Sequence, residues 1–452
     1  MTFGTDYRLL VAPLLVLGLC CSGCASGSRR GARPPAHVLA TWAQISDAHV
    51  VDEESPARLE MLDRLGPPFT SAFRQQEALS GQLLAAVVRA LDVEHPGAVV
   101  VTGDLIDNAQ ANELTEALAV LHGGRVDPNS GAPGYQGVQR ASNPDPFYYR
   151  PDVDPPRHPH LLRQAGAAFD SPGLRAPWYP VVGNHDLLVQ GNVAPTPRTQ
   201  AVATGSRKLV SLDRAALEAA RTRRLSPAIV DAALAGGLPG ATIRVAADPS
   251  RRELTAAQVL ARLRRTSGHG GRGPLLDYSF PLGPDVRGIV VDTIRRGVGA
   301  AGIVRPPQLR WLGEQLRHAG AHWVVVFSHT PLSSCAGGGR AIDLLQRDPH
   351  VVAAIAGDTH RNSVERLGRL VLVTTSSLAD WPQQARMFRL SSQRDGGVRL
   401  DTWTVGPDLN DPLARISHQL AYLDYQGGRP AGFAGSAADR RARFVIPPAG
   451  RR

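Results

Sequence analysis

The sequence predicts an α/β fold, and three observations carry that expectation. Val38 to Ile45 reads as a strand, Arg74 to Leu91 as a helix, and Ala98 to Thr102 as a second, wholly apolar strand. Strand, helix, strand is a βαβ unit, the building block of parallel sheets. Each strand also runs directly into polar residues, Ser46-Asp47-Ala48-His49 and Gly103-Asp104. The carboxyl ends of strands are where open α/β sheets place their ligands.

Each element has its own signal. The helix carries Leu79, Leu83, Ala86, Val87, Ala90 and Leu91 at helical spacing and stops before Pro96-Gly97. A continuous run such as AVVVT is typical of a strand buried on both faces. Trp178 to Val182, Gly288 to Asp292, Trp323 to Phe327, Val351 to Ala356 and Leu370 to Thr375 repeat the strand pattern. Val398 to Val405 alternates as a sheet edge does, and Asp411 to Leu423 reads as a helix followed by a Gly-rich end along the surface. Two stretches interrupt the alternation, Gly123 to Pro177 and Leu187 to Gly273, the second with helical pieces at Ser211 to Arg223 and Thr255 to Arg265. Insertions of that length tend to be functional or to form a small cap. No internal repeat is present.

With 452 residues, 43% hydrophobic and 20% charged, the chain is globular in composition and is neither wholly disordered, collagenous nor multi-spanning. Its net charge of +10 invites a nucleic-acid reading. However, Lys208 is the only lysine, and the arginines are scattered along an Ala-, Gly- and Pro-rich chain, not gathered into a block. That describes a solvated basic surface that favours anionic substrates; no nucleic-acid partner is expected.

Three of the four cysteines, Cys20, Cys21 and Cys24, crowd into the first two dozen residues. Arg8 precedes an apolar run, Leu9 to Cys21, too short to span a bilayer comfortably, so residues 1–24 read as a signal peptide. Cys21-Ser22-Gly23-Cys24 resembles a bacterial lipobox, which implies lipidation of Cys24 and a membrane anchor, with simple secretion as the alternative. Either route leads outside the cytoplasm. Residues 25–39 then form a tether, 40–405 the main domain with insertions at about 123–177 and 187–273, and 406–452 a C-terminal helix and tail.

Five polar clusters each follow an expected strand: Asp47-Ala48-His49, Gly103-Asp104-Leu105-Ile106-Asp107, Gly183-Asn184-His185-Asp186, Ser328-His329-Thr330-Pro331 and Gly357-Asp358-Thr359-His360. Asp, His and Asn are hard or borderline ligands suited to Mn²⁺, Fe or Zn²⁺, and carboxylates can bridge two ions. Taken singly, each cluster is a good turn. Five in order at strand ends point to a dinuclear metal site. Asp107, Asn108 and Asn362 read as supporting groups or turn formers. His158 and His160 read as exposed loop residues, Cys335 as a free buried thiol, and Arg361 as solvated or phosphate-facing.

The order D-x-H, GD-x-x-D, GNH-D/E, lone His and G-x-x-H over residues 40 to 405 resembles the calcineurin-like metallophosphoesterase superfamily. The Asp52-Glu53-Glu54-Ser55-Pro56 stretch and the large insertions resemble an exported actinobacterial subgroup of it. The resemblance implies a four-layer α/β/β/α sandwich with the insertions as a lid. It also implies two transition-metal ions, one held by Asp47, His49 and His360, the other by Asn184, His329 and Asp358, with Asp104 bridging. A metal-bridging hydroxide would hydrolyse a phosphomonoester or phosphodiester, His185 would serve the leaving oxygen, and Asp186 would orient His185 or act as a turn acid. The sequence departs from the family at Asp358, where histidine is usual. This leaves open a second reading, a catalytically weakened surface lipoprotein acting as a binding or scaffold domain.

Overall fold

The computed structural model describes residues 37–66, 69, 72–221, 226–424 and 432–449. Cys24, the signal peptide and residues 25–36 of the tether lie outside the described residues. Among the described residues no helix is long and apolar enough to cross a membrane.

The β-branched runs assemble into two six-stranded sheets. In spatial order the first contains Arg441–Ile446, Val398–Val405, Ala385–Ser392, Val38–Ile45, Val99–Thr102 and Trp178–Val181. The second contains Ser363–Leu367, Leu370–Thr374, Val351–Ala356, Trp323–Phe327, Val286–Val290 and Tyr278–Gly283. The last three strands of the first sheet are parallel, as are the middle four of the second. Antiparallel strands close both sheets off, as the expected α/β class allows.

Side chains that alternate along a strand serve two different cores. Val325 and Phe327 share one buried cluster with Ile45, Val101 and Val181 of the first sheet. Their neighbours Val324 and Val326 pack instead with Leu312 and Leu316 of the Pro306–Ala319 helix and Leu345 of the Gly338–Arg347 helix. The Ser80–Glu94 helix contributes Leu83, Leu84, Val87, Val88 and Leu91 to the first cluster.

Several elements differ from expectation for identifiable reasons. The helix expected from Arg74 begins at Ser80, because Arg74 and Glu77 are occupied in a buried polar turn: the Arg74 amide donates to Glu77 Oε2 (2.8 Å) and its Nε to Asp380 Oδ1 (2.7 Å). Val398–Val405 is not an edge, because the tail expected along the surface supplies Arg441–Ile446 as a further antiparallel strand. Ala385–Ser392 went unread because Arg386 interrupts its apolar pattern. That arginine is fully buried, donating to Thr375, Thr402 and Asn362.

Both insertions contain small two-stranded ribbons, Gly124–Val126 with Phe169–Ser171 and Arg207–Leu209 with Thr242–Arg244. The second ribbon carries Lys208, which is completely buried: Nζ pairs with Glu60 Oε1 at 2.6 Å and donates to the Ser55 carbonyl at 2.8 Å.

Candidate metal centre

The five polar clusters leave the carboxyl ends of five parallel strands, three in the first sheet and two in the second, so both sheets contribute to one site. The turns there are tight. Asp47, His49, Asp104, Asp358 and His360 have φ of 52°, 45°, 47°, 66° and 55°, in the left-handed region that non-glycine residues rarely occupy. Backbone held this way recurs at functional sites, where the surrounding structure must compensate for the cost. Gly103, at φ 91°, has no alternative: a Cβ there would lie 2.6 Å from His329 Nδ1.

Hydrogen bonds at the far side of each imidazole decide what its inward side offers. His329 Nδ1 meets the Thr102 carbonyl at 2.8 Å, an acceptor only, so Nδ1 carries the hydrogen and neutral Nε2 presents a lone pair. Facing that lone pair are three oxygens: Asn184 Oδ1 at 3.1 Å, Asp104 Oδ2 at 3.3 Å and Asp358 Oδ1 at 3.4 Å. The amide of Asn184 is fixed this way round because its Nδ2 donates to the Gly191 carbonyl at 3.2 Å. A second set repeats the logic. His49 Nδ1 bonds Asp107 Oδ1 at 2.8 Å and His360 Nδ1 bonds Asp380 Oδ2. Their Nε2 atoms therefore confront each other at 3.3 Å, with Asp47 Oδ1 3.6 Å from that of His360. Asp104 Oδ2 lies 3.8 Å from His49 Nε2 and so adjoins both sets.

Acceptors turned toward one another in a buried space require positive charge between them. The surrounding charges agree. Burial alone would lower the pKa of His329, yet Asp104, Asp358 and Asp47 push it well above the usual range. Burial pushes Asp47 up to about 6 even though His360 and His329 pull the other way. Imidazole nitrogen plus carboxylate and amide oxygen, with one carboxylate adjoining both sets, fits two borderline-to-hard cations. Asp358 faces the same point as His329 and Asn184; its backbone N–H also donates to Asp47 Oδ1 at 3.1 Å.

His185 stands at the rim, its side chain 18% exposed. Its amide donates to Asp104 Oδ1 (2.8 Å), its Nδ1 bonds the Asp107 carbonyl (3.0 Å) and lies 3.1 Å from Asp107 Oδ1, and its ring meets His49 edge-on at 4.6 Å. Against the effect of burial, Asp104 and Asp107 push it up to about 9. Asp186 does not orient this imidazole. Its Oδ1 accepts the Leu105 and Ile106 amides (2.9 and 3.1 Å) and its Oδ2 the Gly183 amide (2.8 Å), so it staples two ligand-bearing turns together. Asp186→Ala is expected to cost about 1 to 3 kcal/mol through the orphaned amides, measurable by denaturant unfolding. The residue that orients His185 is Asp107.

Asp380, Arg58 and Arg74 gave no signal in the sequence. All are buried: Arg74 pairs with Asp380, and Arg58 binds Asp107. Asn108 and Asn362 are structural, bonding Glu113 and Arg386. His158 and His160 join no ligand-competent group among the described residues. Cys335 is a buried thiol, its pKa pushed up to about 12 by burial.

No family model matches the chain, and no curated protein does. Among solved structures it is similar to a dimetal phosphatase from Danio rerio (14% identity, TM-score 0.44, 91% of this chain and 100% of that one). It is also similar to PhoD (12%, 0.36, covering 87% and 78%) and to the purple acid phosphatase PPD1 of yellow lupin (10%, 0.34, covering 80% and 51%).

Proposed function

We propose that the protein is an exported metal-dependent phosphoesterase of the calcineurin-like type. The observation that supports this most directly is the pair of inward-facing acceptor sets adjoining Asp104. Asp47, His49 and His360 would hold one ion, and Asn184, His329 and Asp358 the other, with Asp104 serving both. Bound there, such ions supply Lewis acidity toward phosphoryl oxygens and lower the pKa of water. His185, anchored through Nδ1, keeps its Nε2 for a proton donated to the leaving oxygen.

The test is turnover of an aryl phosphate by chelator-treated protein, before and after Mn²⁺ is added back. Activity restored by about two equivalents supports the reading; a protein that takes up no metal and shows no turnover is the scaffold. A bis-aryl phosphate run in parallel separates diesterase from monoesterase. Asp358→His is expected to move metal preference toward Zn²⁺, read by competitive metal loading, because imidazole is a softer ligand than carboxylate. An unchanged preference would place Asp358 outside the ion's ligands. Cys24→Ser is expected to move the protein from the membrane to the soluble fraction.

A further inference from the structure

We propose that Arg58 is a positioning residue for the metal centre, orienting His49 and His185 together through Asp107; this rests on the metal-dependent reading above. One carboxylate serves two imidazoles. Asp107 Oδ1 lies 2.8 Å from His49 Nδ1 and 3.1 Å from His185 Nδ1, while Oδ2 is held by Arg58 Nη1. With Oδ2 fixed, the plane of the carboxylate is fixed, and Oδ1 can only point at the two rings. Arg58 is itself held from the other side: its Nη2 bonds Glu77 Oε2 at 2.7 Å, and its Nε lies 4.0 Å from Glu60, the partner of Lys208.

The side chains of Arg58, Asp107 and Glu77 are 1%, 2% and 3% exposed, so bulk water cannot replace a lost partner. Removing the guanidinium takes away the group that holds Asp107 Oδ2, and the carboxylate is then free to rotate away from one ring or both. Groups that orient metal-binding histidines this way matter at a distance from the ion itself. The imidazole of the other ion has separate support: His329 Nδ1 bonds the Thr102 carbonyl at 2.8 Å. Loss of Arg58 should therefore weaken mainly the ion that His49 binds.

The experiment is calorimetric titration of metal-free protein with Mn²⁺, beside kcat and KM for an alkyl phosphate. Arg58→Gln is expected to weaken one binding step by about 10- to 100-fold, with kcat reduced and KM little changed. Arg58→Lys, whose single ammonium cannot reach both Asp107 and Glu77, should show a loss of about 10-fold, and it carries the test if the glutamine variant does not fold. Arg251→Lys is the control, because Arg251 is equally buried but paired with Asp52. Unchanged Mn²⁺ affinity in a folded Arg58 variant would overturn the proposal, as would an equal loss in Arg251→Lys. Wild-type protein that takes up no Mn²⁺ would instead overturn the proposed function, and this inference with it.

Discussion

Asp104→Asn is expected to strip both ions from the protein and to reduce turnover by about 10³-fold, the equivalent of roughly 4 kcal/mol of lost charge stabilisation. The reason is local. Asp104 Oδ1 accepts the His185 amide, so an asparagine would keep its carbonyl oxygen there and turn its NH₂ toward the place Oδ2 occupies. That atom lies 3.3 Å from His329 Nε2 and 3.8 Å from His49 Nε2, between the two acceptor sets. A donor would then face the ions where an anionic acceptor stood. Metal analysis after dialysis, together with steady-state rates, checks this. Two retained equivalents with most of the activity would refute the shared role.

For His185→Asn the expectation is different in kind: bound metal unchanged, and kcat reduced by about 10²- to 10⁴-fold on a substrate with a poor leaving group. An alkyl phosphate departs as a basic alkoxide and needs the proton; a nitrophenyl phosphate does not, so its rate should fall much less. The imidazole is suited to that task by its place at the rim and by Asp107, which bonds its Nδ1. Equal losses on both substrates would remove the proton-donor role, and loss of metal would make His185 a ligand.

Much of this site was legible because its residues sit where apolar runs stop. Val351–Ala356 ends and Asp358 follows; Trp323–Phe327 ends and His329 follows. A strand buried on both faces has no polar alternatives, so its first polar residues stand out. The supporting groups were illegible for the opposite reason. Arg74 and Asp380 are 306 positions apart, Arg58 and Asp107 are 49 apart, and neither the two arginines nor Asp380 belong to any of the five clusters. Only folding pairs them, and a lone arginine among so many looks like surface. Of the two roles the sequence leaves open for Asp186, the structure shows the turn acid, because a helical turn sends the neighbouring side chains of His185 and Asp186 in different directions. Arg386 hides a strand inside the first sheet because a buried guanidinium breaks the apolar pattern that marks the other strands.

The burial of Lys208 has a practical corollary. No other side chain in the protein carries a primary amine, and this one is enclosed between the second insertion and the Ser55–Glu60 segment. Acylating reagents should pass over it in the native protein and mark it only when that insertion lifts away. Its labelling rate, followed by mass spectrometry, would serve as a single-residue clock for separation of that insertion from the Ser55–Glu60 segment.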